Sequence, residues 1–303
     1  MRTLLITIVA IAFSTCPAFS QVILELKHPD NSKSSVESVV KTNQVLTLAG
    51  MNIETKSQTS LIMNRTSGER AADGTISVVE KCEVLQSEIS LPGGITLQFD
   101  SSNPDKKADL PLLEPIMERL RLTFKTPATI VLDPKGLIKE IKFPEDIAAS
   151  ADAANKSLFD TAKRKKAAEQ ARGYLPDGPV NPGDSWERFI DVDFGSGQTM
   201  AFRMKYTYAG PVEKEGQALE KINAKAISVN YSVDPSNSSF QVTKSDLKVT
   251  ESNETILFDR MLGAVQEKTE KIRIEGPLTL IVNGMELDGK VDLTMEHSDK
   301  RRK

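Results

Sequence analysis

From Val22 onward the chain is dominated by runs in which apolar and polar residues alternate. In MNIETKSQTSLIMN, residues Ile53, Thr55, Ser57, Thr59, Leu61 and Met63 share one face at period two. That face is only partly apolar, as expected of an antiparallel sheet with one solvated side. SVESVVKTNQVLTLAG, TISVVEKCEVLQSEIS and ITLQFD are strands on the same pattern, the last entered through Pro92-Gly93-Gly94. The period changes at ADLPLLEPIMERLRLTF. There Leu113, Ile116, Met117 and Leu120 fall at helical spacing and Pro115 marks the start, which predicts a short amphipathic helix.

A hairpin follows in PATIVLDPKGLIKEIKFP. Asp133-Pro134-Lys135-Gly136 puts proline at the second turn position and glycine where a positive φ is needed. Pro144 then opens the longest helical candidate, which runs to Gly173. Its stripe of Ile147, Ala151, Ala154, Leu158, Ala162 and Ala168 is narrow and suits a surface-resting helix. Its KRKK run, Lys163 to Lys166, is read as a solvated face.

LPDGPVNPGDSW, Leu175 to Trp186, then ends helical structure, because Pro176, Pro179 and Pro182 forbid its continuation. This segment is a joint that launches a second set of strands. Trp186, the chain's only tryptophan, is its first large side chain and is read as a plug at a sheet end. Beyond it nearly everything alternates, and short turns such as Glu215-Gly216, Asn283-Gly284 and Asp288-Gly289 make sequential neighbours antiparallel. The expected fold is therefore mainly β (α+β): long antiparallel curved sheets in two halves, with a helical segment on the concave face. TIVLDPKGLIKE, from Thr129, is echoed by TILFDRMLGAVQE, from Thr255. The echo fits a duplication and equally fits reuse of a common turn.

Composition adds location. MRTLLITIVAIAFSTCPAFSQ has a basic head, a short apolar core and small residues at Ala18 and Ser20, the pattern of a secretory signal cleaved after Ser20. Phe13-Ser14-Thr15 is a poor context for acylation of Cys16, so lipoprotein anchoring is not expected. The expected organisation is a signal peptide at 1–20, a β-rich half with one short helix at 21–143, a helical segment and joint at 144–180, an antiparallel half at 181–297 and a basic tail at 298–303. Export to the periplasm or extracellular space follows, with no transmembrane segment after cleavage. Loss of Cys16 leaves Cys82 with no internal disulfide partner. The net charge of −3 argues against a nucleic-acid partner.

Chemistry is sparse. The two histidines, His28 and His297, lie near segment ends and are expected to be exposed. There is no His or Cys metal cluster, no G-x-S-x-G elbow and no phosphate loop, so neither cofactor, metal nor catalytic residue is expected. DVDFGSG, Asp191 to Gly197, is a hairpin turn rather than a calcium loop. The methionines admit two readings: adaptable contacts for an apolar ligand, or fillers of a large β core.

The order of these pieces, with PGGITLQFDS, the two Asp-to-Gly hairpins and the GDSW strand start, resembles a family of exported bacterial proteins of unknown function, of planctomycete type. At fold level the pattern also resembles lipoprotein-carrier half-barrels, curved sheets around a helical plug. Together these readings favour a non-enzymatic exported binding protein holding an apolar ligand or a peptide between sheet and helix. Candidate groove residues are Met117, Trp186, Met200, Met204, Ile256 and Phe258. The competing reading is a structural or assembly protein of the cell envelope, partnered by another envelope protein.

Overall fold

The computed structural model describes residues 21–151, 155–195, 197–234 and 240–302. The expected signal peptide and Cys16 lie outside these residues. Along the first half run β1 (Lys33–Leu48), β2 (Met51–Ser67), β3 (Ile76–Leu91), β4 (Ile95–Asp100), α1 (Glu114–Lys125), β5 (Ala128–Leu132) and β6 (Ile138–Lys142). The middle holds α2 (Glu145–Ser150) and α3 (Thr161–Gln170). The second half runs β7 (Ser185–Gly195), β8 (Gln198–Lys214), β9 (Gln217–Val233), β10 (Phe240–Ser245), β11 (Lys248–Asp259), β12 (Ala264–Val282) and β13 (Met285–Arg302). No helix among the described residues is long and apolar enough to cross a membrane.

The strands form one large, curved, antiparallel sheet that does not close into a barrel. Its order is β6-β5-β3-β2-β1-β13-β12-β11-β9-β8-β7, with β4 beside β3 and β10 beside β12. The order within β1–β6 recurs within β7–β12, and β13 joins the two sets. Each set contains a six-residue strand off the main path, although β4 pairs with β3 and β10 with β12. In the last hairpin of each set an aspartate also accepts from backbone N–H groups of the turn, though at different positions. Asp133 Oδ1 accepts from the backbone N–H groups of Lys135 and Leu137 at 2.8 and 2.9 Å, and Asp259 Oδ1 accepts from that of Leu262 at 2.9 Å.

Period-two alternation sends every second side chain to one face, and there three apolar clusters form. The largest joins Met200, Phe202 and Met204 of β8 with Ile222, Ile256, Phe258, Ile272, Ile274 and Leu293. A second packs Leu113 and Met117, at the start of α1, onto Cys82, Leu85, Leu97 and Phe99. The third gathers Ile76, Val78, Leu132, Ile138 and Ile141, with Ala168 of α3 against it. The segment 21–30 ties the halves together: it comes before β1 in the chain, yet Leu24 is buried in the large cluster of the second half. Val22 bridges Val180, and the Lys27 N–H donates to the Gly263 carbonyl at 2.9 Å.

Two local differences from the sequence reading have physical causes. The long helix between Pro144 and Gly173 is broken: Ala151 is extended after α2, a 3-10 turn spans Lys156–Phe159, and Asp160 caps α3 by accepting from the Lys163 N–H at 3.0 Å. The small-residue stripe supplies too little buried area to hold a continuous rod, and α3 buries no residue fully. Instead α3 touches both β6 and β7, the two free edges of the sheet. The basic run at the end is strand rather than solvated tail. Lys300 pairs with Glu37 of β1 and Glu267 of β12, and Arg301 and Arg302 pair with Val36 and Ser35 of β1, so backbone pairing with neighbouring strands satisfies a polar strand that has no apolar signal of its own.

Candidate functional site

A cavity of about 1020 Å³ opens across seven adjacent strands, β4, β3, β2, β1, β13, β12 and β11. Lys41, Asn43 and Val45 of β1 line it, with Lys56, Gln58 and Ser60 of β2, Gln86, Glu88 and Ser90 of β3, and Gln98 and Asp100 of β4. Asp292, Thr294 and Glu296 of β13, Lys271 and Arg273 of β12 and Glu251 of β11 complete it. These positions alternate with Leu46, Ile272, Ile274 and Leu293, which pack in the large cluster. The cavity therefore lies mainly over the face opposite the clusters, with Phe99 of the second cluster also bordering it. Asn103 and Lys106, from the loop that leads to α1, close one side.

The lining is polar and its charges balance. Arg273 holds Asp292 with two hydrogen bonds, Nε to Oδ1 at 3.1 Å and Nη2 to Oδ2 at 2.9 Å. This bond keeps the Asp292 carboxyl below, and the Arg273 guanidinium above, its ordinary value. Lys271 pairs with Glu251 at 3.0 Å. Gln98 donates to Glu88 at 3.0 Å and Gln86 to Asp100 at 3.1 Å. The Ser102 N–H, bonded to Asp100, lowers the pKa of that carboxyl. Lys41 and Lys106 make no ion pair among the described residues. The groove thus offers fixed donors and acceptors of both signs, and Asp100 and Asp292 are held in their charged forms.

A second polar group lies on the clustered face. Lys268 Nζ sits 3.0 Å from Glu254 Oε1 and 3.3 Å from Glu270 Oε2, and the Glu254 side chain is 2% exposed. His297 Nε2 is 2.9 Å from Asp299 Oδ1, and its Nδ1 is 3.8 Å from Glu270 Oε2. Ser38 Oγ donates to the same Asp299 oxygen. Burial pushes the Glu254 carboxyl up. Burial opposes the charge on Lys268, but the flanking Glu254 and Glu270 carboxylates outweigh it and hold the ammonium above its ordinary value. At His297 burial is likewise overcome by hydrogen bonds to Asp299 and Glu270, and its pKa rises to about 9.

Neither histidine is exposed as the sequence suggested; both are half-buried. Position near a segment end misled, because β13 continues past His297 and segment 21–30 packs against the sheet. His28 Nε2 is buried with no hydrogen-bond partner among the described residues. Burial, followed by the charge of Arg172, lowers the His28 pKa to about 4.

The structure gathers Met200, Met204, Ile256 and Phe258 in the large cluster. Trp186 is half-buried at its margin, stacked on Tyr206 at 5.9 Å, and its Nε1 donates to the Gly173 carbonyl at 3.0 Å. Met117 is apart from them, under α1. None of the six lines the large cavity. The residues that do were legible only as outward-facing polar positions at period two, such as Lys56, Gln58 and Ser60. Alternation identifies a face but not whether that face is hollow.

No protein-family model matches this chain, and no curated protein matches it. Among solved structures, lipovitellin aligns with 91% of this chain at TM-score 0.46 and 8% identity, and this chain spans only 26% of the lipovitellin chain. An outer membrane channel from Pseudomonas putida F1 aligns with 92% of this chain and 98% of its own, at TM-score 0.22 and 7% identity. A domain from Vibrio parahaemolyticus, described as an outer membrane lipoprotein-sorting protein, aligns with 85% of this chain and 83% of its own at TM-score 0.15 and 8% identity. These scores carry no conclusion about function.

Proposed function

We propose that this protein is a non-enzymatic binding protein that holds an extended peptide in the polar groove of its sheet. The observation that carries the reading is the open cavity of about 1020 Å³ walled by side chains from seven strands. Seven strands at their usual spacing span about 29 Å, enough for roughly eight or nine extended residues. Amides and hydroxyls of Asn43, Gln58, Ser60, Gln86, Gln98 and Thr294 match backbone groups of a peptide, and charges of both signs match mixed side chains. Glu88, Asp100, Glu251 and Asp292 of the groove are ion-paired or hydrogen-bonded, which suits positioning rather than proton transfer. Lys268 and His297, both strongly perturbed, project from the other face. The basic, apolar, small-residue order of residues 1–20 supports action outside the cytoplasm.

Selection from a random nonapeptide display library tests this reading. Selected peptides are expected to lose at least tenfold in affinity when Asn43→Trp fills the groove. They should also compete with one another for one site. Peptides that bind the Asn43→Trp protein as well as the parent would overturn the proposal.

A further inference from the structure

The turn Arg260–Met261–Leu262 between β11 and β12 exposes two large apolar side chains, Met261 at 82% and Leu262 at 50%. It is a firmly held turn. The Leu262 N–H is capped by Asp259 Oδ1 at 2.9 Å, and Lys27 Nζ donates to the carbonyls of Arg260 and Met261 at 3.1 and 3.3 Å. The Lys27 N–H also donates to the Gly263 carbonyl. Gly263 adopts φ +60, and a Cβ there would lie 2.4 Å from Lys27 Cγ and 2.7 Å from its backbone nitrogen. Glycine thus permits both the left-handed turn and the close approach of the segment that braces it.

Turn chemistry does not require the apolar pair. The corresponding hairpin of the first half uses the same aspartate device with Pro134 and Lys135 at its tip. The second tip is longer and carries Met261 and Leu262 instead. Two cations sit with them: Arg260, whose side chain is half-exposed and 3.8 Å from Glu220, and Lys27, whose ammonium lies against the turn carbonyls.

We propose that this tip docks on a lipid surface with anionic headgroups, Met261 and Leu262 entering the acyl boundary and Arg260 and Lys27 meeting headgroup phosphates. A braced tip with exposed apolar side chains and cations beside them matches the layering of such a surface. Because the braces fix the turn in advance, little conformational freedom is lost on insertion.

The test places an indole at the tip. Full-length Met261→Trp is mixed with vesicles of equal parts phosphatidylcholine and phosphatidylglycerol, with or without brominated acyl chains. A blue shift and quenching by the brominated lipid are expected at position 261 and not for Gln58→Trp on the groove face. Adding Arg260→Gln should weaken the lipid-dependent signal about fivefold on anionic vesicles and leave it unchanged on neutral ones. This local readout is independent of any membrane affinity of residues 1–20. Absence of quenching at position 261 at saturating lipid, or equal quenching at position 58, would sink the proposal. So would a dimer in sedimentation that Leu262→Ser dissociates while vesicles leave the indole unquenched, since the tip would then serve a second copy of the chain.

Discussion

Replacing Lys268 by methionine keeps the length of the side chain and removes one charge from the network beneath β11, β12 and β13. Its ammonium is the cation next to Glu254, whose side chain is 2% exposed at 3.0 Å, and it also lies 3.3 Å from Glu270. Removing one partner of a buried pair costs about 3–5 kcal/mol, because the other charge stays behind without compensation. A domain is stable by roughly 5–15 kcal/mol, so the expected loss is a large fraction of the whole. The loss should depend on pH. Burial already raises the Glu254 carboxyl, and without Lys268 it rises further and takes up a proton on folding. The folded variant then binds more protons than the unfolded chain, so its stability increases as pH falls. Lowering the pH from about 7 to about 5 should return up to roughly 2.7 kcal/mol relative to the parent. Glu254→Gln added to Lys268→Met should restore most of the loss by removing the stranded charge. Urea unfolding followed through Trp186 fluorescence at both pH values measures all three effects. A loss below about 1 kcal/mol at neutral pH, or a double variant no more stable than the single, would refute the assignment of this network as a coupled buried unit.

His297 has a folded pKa raised to about 9. Its contribution is therefore fully present below the unfolded value near 6.5 and is lost as pH rises through about 9. The ceiling is about 3 kcal/mol, which solvent screening at a ring 30% exposed reduces to roughly 1–2, and His297→Gln should flatten that part of the stability-versus-pH curve. Trp186→Phe keeps the stacking on Tyr206 but strands the Gly173 carbonyl, at an expected cost of about 1–2 kcal/mol. Circular dichroism in urea reads that loss, and an unchanged midpoint would show that solvent replaces the bond.

Several features of the fold can be read from local chemistry. The Asp133 and Asp259 turns, the launch of β7 at Ser185 and α1 around Met117 follow from residues acting on their immediate neighbours. The resemblance between the two hairpins also has a counterpart in the repeated strand order. The longer helix failed because its stripe needed a surface to rest on, and the tertiary structure supplied only the gap between two sheet edges. The six apolar candidates were expected to line a ligand groove; five pack in or at the margin of the large cluster, Met117 packs in the second, and none lines the large cavity. Burial gave them neighbours rather than a void.

The sequence by itself determined which side chains face together, since period-two alternation is a property of the extended backbone. It also determined where the chain turns, because proline, glycine and aspartate act within a few residues. Only the tertiary structure decided that β13 lies between β1 and β12, which brings Ser38, Glu254, Lys268, Glu270, His297 and Asp299 from four strands into one network. It also decided that the outward polar face is hollow across seven strands. Strand pairing and sheet curvature join residues more than two hundred positions apart, and no local pattern encodes that distance.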